Sequence, residues 1–230
     1  MDTAALNLRG MLPRLPLLEE MGSAALDRLF SGATLVNAPS RTVIFKCGDA
    51  SRGVYIVVSG QVKLALQGAQ GAEQVVELVG PGGVFGEIPV FLGGPHVLMA
   101  ESLADSRVVQ IAKSNVLAEL EHTPEFTREM LAILSRRLQH VLGALENCTL
   151  RSGTERVIAY LMSRLPPDAI NGHAVLTLPA KKGVIASQLN LTHEHFSRLL
   201  HELVSKALIE VEGRRVRILD VDRLRAYGFD

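Results

Sequence analysis

The stretch from Thr123 to Cys148 constrains the fold more than any other part of the chain. Thr123-Pro124 is a strong helix start, with Thr at the N-cap and Pro at the first helical position. Leu131, Leu134, Leu138, Val141, Leu145 and Cys148 then recur at spacings of 3, 4, 3, 4 and 3, a heptad seam. A helix over 124–148 is about 37 Å long at roughly 1.5 Å per residue. One small domain cannot cover all of it. A second stripe, Met130, Ile133, Arg137 and His140, suits contact with a β domain of the same chain. The seam then asks for a second copy of the helix; packing wholly within one chain is the alternative.

Before this helix the texture differs. Residues 11–31 are expected to be helical, with Leu12, Leu15, Leu17, Leu18, Leu26, Leu29 and Phe30 apolar and Pro13 and Pro16 interrupting. From about 33 to 111, β-rich runs occur at Thr42–Phe45, Val54–Val58, Val62–Leu66, Val75–Val79 and Val108–Ile111. Glycine-bearing turns such as Lys46-Cys47-Gly48-Asp49 and Gly80-Pro81-Gly82-Gly83 divide them. Strands so spaced predict a sandwich or barrel.

After the seam, Ser152-Gly153-Thr154-Glu155 matches a capping box, so a helix over about 154–165 follows a break near 149–152. Pro166-Pro167-Asp168 is expected to end that helix. A strand at His173–Leu178, a helix at 181–189 and another at 192–205 follow, with Asn190 in a tight left-handed turn. Ile209–Val211 and Val216–Leu219 flank Glu212-Gly213-Arg214-Arg215, a basic-tipped hairpin. The expected divisions are 1–122, 123–148 and 149–230.

The 192–205 helix sorts by side. Phe196, Leu199, Leu200 and Leu203 form one apolar stripe, while Glu194, Ser197 and Arg198 share another face. An acceptor, a hydroxyl and a guanidinium fork can read base edges in a DNA major groove. The alternative is that three polar residues merely solvate a helix. The charge pattern favours nucleic acid in one part only. Net charge is zero, yet residues 1–150 hold 12 Lys+Arg against 15 Asp+Glu, and residues 151–230 hold 12 against 9.

The order and spacing of these features resemble the CRP/FNR family of bacterial transcription regulators. The carriers are Gly48-Asp49, Tyr55–Lys63, Gly82-Gly83-Val84-Phe85-Gly86-Glu87, Arg136-Arg137-Leu138-Gln139, Arg156 and the 181–217 block. The implied fold is α+β: an N-terminal cyclic-nucleotide-binding-type β-roll, a dimerisation helix and a C-terminal winged helix-turn-helix. The FNR branch uses a Glu-x-x-Ser-Arg pattern, matched by Glu194, Ser197 and Arg198, which implies paired TTGAT-type half-sites. Lys181, Lys182, Arg214, Arg215 and Arg217 are suited to phosphate contact, and Thr192, His193 and His201 flank the reading face. The resemblance implies double-stranded DNA, a second copy of the chain, RNA polymerase and a small effector as partners.

For the effector, the resemblance points to Gly86, Glu87, His96, Val97, Leu98, Val141 and Leu142. Gly86-Glu87 permits a ribose-type contact. Val97-Leu98 stand where cyclic-AMP-binding members carry an Arg-Ser pair, and Val141-Leu142 replace the polar pair that meets adenine. An unpaired buried phosphate is expensive, so cyclic AMP is not the expected ligand. Two distant cysteines, Cys47 and Cys148, cannot hold the four-cysteine iron–sulfur cluster of oxygen-sensing members, and are expected to be packing groups. The nitric-oxide-responsive denitrification branch leaves haem as a candidate. His96 leads the possible axial ligands, ahead of His140, Cys47 and Met99; an exposed loop residue is the alternative for His96.

A nucleotide-binding module acting on a protein partner is the competing class, and it predicts no helix-turn-helix. An enzyme would need an acid–base pair such as Glu87 and Asp105, but no G-x-S-x-G, H-E-x-x-H or P-loop spacing occurs. Neither a signal peptide nor an apolar run near 18 residues is present, so a reduced, cytoplasmic protein that does not engage a membrane is expected.

Overall fold

The computed structural model describes residues 16–68, 71–166 and 172–228. Two compact units divide the chain between Gln139 and His140, inside the long helix.

The first unit opens with α1 (Pro16–Glu19) and α2 (Ser23–Leu29), separated at Glu20–Gly22. Of the helical stretch expected over 11–31, the described part forms two short helices with a further break at Glu20–Gly22; residues 11–15 lie outside the described residues. Among the described residues, eight strands follow: β1 (Thr34–Ala38), β2 (Val43–Phe45), β3 (Gly53–Ser59), β4 (Val62–Gln67), β5 (Glu73–Val79), β6 (Val84–Phe85), β7 (Met99–Ser102) and β8 (Ser106–Ala112). The short helix α3 (Ile88–Leu92) lies between β6 and β7. Two antiparallel sheets form, ordered β1-β8-β3-β6 and β2-β7-β4-β5. Strands β1, β6 and β7 were not expected. Each is short or mixes polar with small residues, so none carries an apolar run.

Strand β3 shows how the unit is built. Val54 and Ile56 join a core with Leu17, Leu18 and Leu29 of the N-terminal helices, whereas Tyr55 and Val57 join one with Val62, Leu64 and Val79. Side chains alternate across a strand, so β3 feeds both cores and reads as an unbroken apolar run. Gly53 enters β3 at φ +147°, and a Cβ there would lie 1.8 Å from the Ile111 carbonyl oxygen. No side chain fits that close approach.

Then come α4 (Lys113–His122) and α5 (Pro124–Leu150), the long helix, which runs two residues past its expected end. Thr123 is buried between them, and its hydroxyl donates to Glu119. Glu119 also accepts two bonds from the Arg28 guanidinium, at 3.0 and 2.7 Å, which staples α4 to α2. Met130 is buried in the core and Ile133 packs against it, as the second stripe requires. His140 does not follow that stripe and stands exposed.

The second unit contains α6 (Gly153–Met162), β9 (Ala174–Thr177), α7 (Lys182–Gln188), α8 (His193–Ser205), β10 (Ile209–Glu212), β11 (Arg215–Ile218) and α9 (Val221–Tyr227). Its sheet is ordered β10-β11-β9. The Ser152 capping box at the start of α6 is complete, with both reciprocal bonds formed. Helix α6 stops at Met162, before Pro166; Pro167 and Asp168 lie outside the described residues. Gly213 sits at φ +59° in the two-residue loop joining β10 to β11, a region such hairpin turns require. Among the described residues, no helix is long and apolar enough to cross a membrane.

The Arg28 hydrogen bonds outweigh burial and hold the Glu119 carboxyl below the ordinary carboxylate range. The stabilisation is therefore complete at neutral pH and is lost as pH falls below about 4, through the depressed value. Arg28→Ala should be less stable than wild type at pH 7, with the gap closing towards pH 3. Thermal denaturation across that range measures it, and a gap that stays constant contradicts the assignment.

Candidate functional site

The helix-turn-helix is assembled from local signals. Helix α7 ends at Gln188, and Leu191 N donates to Ala186 O at 2.9 Å to close the turn. Asn190 takes φ +54°, the left-handed backbone expected there. Thr192 is the N-cap of α8, its hydroxyl oxygen accepting from His195 N at 3.1 Å. Phe196, Leu199, Leu200 and Leu203 are buried. His193, Glu194, Arg198 and His201 are exposed, and Ser197 is half-buried. The three proposed base readers thus occupy the side of α8 opposite its core contacts.

Glu194 is held below the ordinary carboxylate range by hydrogen bonds from its own backbone N–H and from the Thr192 hydroxyl. It presents an anionic, acceptor-only group at the start of α8. Lys181, Arg214 and Arg215 are exposed and Lys182 is half-buried. Arg217 pairs with Glu210 across the hairpin at 3.4 Å, so of the five basic candidates it is the one already engaged.

Two supports were not legible as such. Arg156 Nη1 donates to Leu189 O at 2.9 Å and to Asn190 O at 3.1 Å, so α6 holds the turn between α7 and α8. Gly153 lets α6 start against α8; a Cβ there would sit 3.1 Å from Leu199 Cδ1 and 3.2 Å from His195 Cε1. His195 is accordingly half-buried.

In the β-roll, Gly86 takes φ +81°, and a Cβ there would come within 2.9 Å of the Tyr55 ring. Glu87 begins α3 but makes no side-chain cap. Its carboxylate, in a side chain 1% exposed, pairs instead with Arg137 of α5. Arg137 Nε donates to Glu77 Oε2 at 2.7 Å, Nη1 to Glu87 Oε1, and Nη2 to Val84 O at 2.7 Å. Burial opposes the guanidinium charge, but Glu87 and Glu77 outweigh it and raise the Arg137 pKa above its ordinary value. Nothing in the sequence near Glu77 announced this role, because the contact spans 60 residues. Asp105 accepts from Ser40 N at 2.9 Å, whereas Glu87 is taken up by Arg137.

His96 is only 3% exposed, which corrects the exposed-loop expectation. Its ring lies on Phe45, centroids 3.7 Å apart and planes 9° from parallel. Its backbone bonds to Asp49 O and Gly48 N, both at 2.8 Å, pin the loop in place. Burial lowers its pKa, against the pull of Asp49 and Glu87, so the imidazole is neutral at pH 7. Val97 is exposed, whereas Leu98 is half-buried and packs on the Phe45–Tyr55 core. Val141 and Leu142 stand exposed on α5. Cys47 is exposed in a turn, which overturns its reading as a packing group, and Cys148 is exposed on the seam face of the single chain.

Comparison with known proteins agrees with this division. A cyclic nucleotide-binding domain model matches residues 35–123, and a Crp-like helix-turn-helix domain model matches 155–227. The chain is 24% identical over 216 residues to the CRP-like cAMP-activated global transcriptional regulator of Mycobacterium tuberculosis, covering 93% of this chain and 96% of that one. It is similar in structure to FixK2 from Bradyrhizobium japonicum, with 26% identity, a TM-score of 0.71, and coverage of 84% and 96%. DNR from Pseudomonas aeruginosa matches at 25% identity and a TM-score of 0.51, over 99% and 100%.

Arg156→Ala should destabilise the second unit by about 1–3 kcal/mol, because two turn carbonyls lose a charged donor. Arg198→Ala, on an exposed position, should stay within about 0.5 kcal/mol of wild type. Urea denaturation compares the two, and equal losses would refute the distinction.

Proposed function

We propose that this chain, which belongs to the CRP/FNR family of transcription regulators, is a homodimer that reads a TTGAT-type palindrome under control of a small effector in its β-roll. The observation that carries the reading is the division of α8: its apolar stripe is buried while Glu194, Ser197 and Arg198 lie on the opposite side. On DNA, Arg198 takes guanine O6 and N7, Glu194 accepts from base amino groups, and Ser197 meets a thymine or a phosphate. Lys181, Lys182, Arg214 and Arg215 hold phosphates and set register without reading sequence.

The seam supports the dimer. Leu131, Leu138 and Leu145 are 58%, 61% and 58% exposed, on a helix whose other stripe is already buried. An isologous contact between two copies covers this face and places two recognition helices for successive major grooves, about 34 Å apart. The effector acts through different affinity for two arrangements of the dimer, with the segment between Leu150 and Gly153 as the hinge. RNA polymerase is the protein partner this class of regulator implies. A module acting only on a protein partner is disfavoured by the helix-turn-helix match.

A haem-based, nitric-oxide-responsive sensor is the second reading. One feature favours it: His96 Nε2 is buried without a hydrogen-bond partner. The stacked ring opposes it, since axial ligation must reorient an imidazole packed flat on Phe45. Reconstitution with haem is therefore expected to give no Soret band that His96→Ala removes; a His96-dependent band establishes haem instead.

For the DNA reading, Arg198→Ala should cost about 1–3 kcal/mol on the palindrome and relax choice at one base pair per half-site. Gel shifts on a set of half-site variants measure this. Equal weakening on random DNA would sink the readout assignment.

A further inference from the structure

Helix α8, which carries the base readers, also holds three of the chain's seven histidines: His193, His195 and His201. The three differ in what they face. His195 is half-buried and its ring is turned to the start of α6, where a Cβ on Gly153 would lie 3.2 Å from its Cε1. His201 is exposed, but it lies about 12 Å along the helix at roughly 1.5 Å per residue. His193 is exposed at the first helical position. That is the end of a recognition helix that approaches the bases.

His193 also stands where the basic groups of this unit converge. Its ring lies at the start of α7: a Cβ on Gly183 would be 3.9 Å from its Cδ2. Lys181 is the N-cap of α7 and Lys182 its first residue. The wing reaches the same edge, because Arg214 O accepts from Leu178 N at 2.8 Å, just before Lys181 in the chain. On its own helix the charged neighbour is Glu194. That carboxyl is held low by its own backbone N–H and the Thr192 hydroxyl, and further by the charge of His193.

These charges couple the imidazole to DNA. Without DNA, Lys181 and Lys182 oppose one more positive charge beside them. Phosphates remove that opposition and favour the cationic ring. Glu194 stays ionised at neutral pH and carries a negative charge into a polyanionic groove, which a cationic neighbour offsets. An imidazole takes up a proton near neutral pH and then donates from both nitrogens.

We propose that His193 is a proton-dependent phosphate contact: its imidazole takes up a proton as the chain binds DNA, so DNA is held more tightly as pH falls from about 8 to about 6. The proposal rests on α8 being the DNA-reading helix.

Binding of the full-length protein to the TTGAT palindrome, followed by fluorescence anisotropy, should tighten about tenfold between about pH 8 and about pH 6. The log–log salt dependence should steepen by about 1 to 2 over the same range, one added phosphate for each chain of the dimer. Calorimetry in buffers of different ionisation enthalpy should register proton uptake. His193→Gln keeps a hydrogen-bonding side chain without the charge, and should lose both the tightening and the steepening. His193→Arg is permanently charged. It should bind at about pH 8 as wild type does at about pH 6, and respond no further to pH. A disturbed fold would not produce that pair of results. A wild type without a pH response overturns the proposal. So does a response that survives in His193→Gln, or one that only His201→Gln removes. A phosphate contact is independent of sequence, so the same series on random DNA tests His193 equally well. Equal affinity for the palindrome and random DNA counts against the TTGAT reading alone.

Discussion

The Arg137 guanidinium, held between Glu77 and Glu87, is the contact on which the arrangement of the first unit depends. It ties the long helix to strand β5 and to the start of α3 in one cluster. Removing one partner from such a buried set leaves an uncompensated charge and is strongly unfavourable. The cluster therefore fixes which way α5 is turned about its own axis. Arg137 lies on the face of Met130 and Ile133, which are packed against the β domain. Leu131, Leu134 and Leu138 each follow one of these by one residue, about 100° further round the helix. That rotation is what leaves the seam uncovered.

The DNA-binding unit is organised on another principle. Its site depends on short-range devices: the Ser152 capping box, the left-handed Asn190, the Thr192 cap and the Gly213 turn. One longer-range contact, Arg156 to the carbonyls of Leu189 and Asn190, secures the turn. The reading face then follows from helical periodicity, because the buried stripe leaves only one side free. A site built this way needs little from distant parts of the chain. This is why spacing alone places Glu194, Ser197 and Arg198 on one face.

The β domain was less legible. Strands β3, β4, β5 and β8 announced themselves as apolar β-branched runs. Thr34–Ala38 and Met99–Ser102 did not, because their strand character comes from pairing with β8 and β4 and not from composition. His96 shows the same limit. Its neighbours Gly94, Pro95 and Val97 suggest a surface loop, yet backbone bonds to Gly48 and Asp49, distant in sequence, hold the segment with its ring on Phe45. Glu77 carried no local sign of its partner. The seam itself was visible as a pattern, but its exposure could be established only once the opposite stripe was seen to be buried.

By itself the sequence determined most of the helices, the apolar strands, the break before Gly153, the shared face of Glu194, Ser197 and Arg198, and the apolar pair Val97-Leu98. All of these depend on periodicity, capping or residue identity over a few positions. The tertiary structure alone decided that Arg137 is taken up by two carboxylates, that His96 is a stacked core residue, and that Arg156 supports the helix-turn-helix. These rest on contacts between residues some 30 to 60 positions apart. Chain folding, not local preference, brings such groups within bonding distance, and their charge and burial are properties of that meeting.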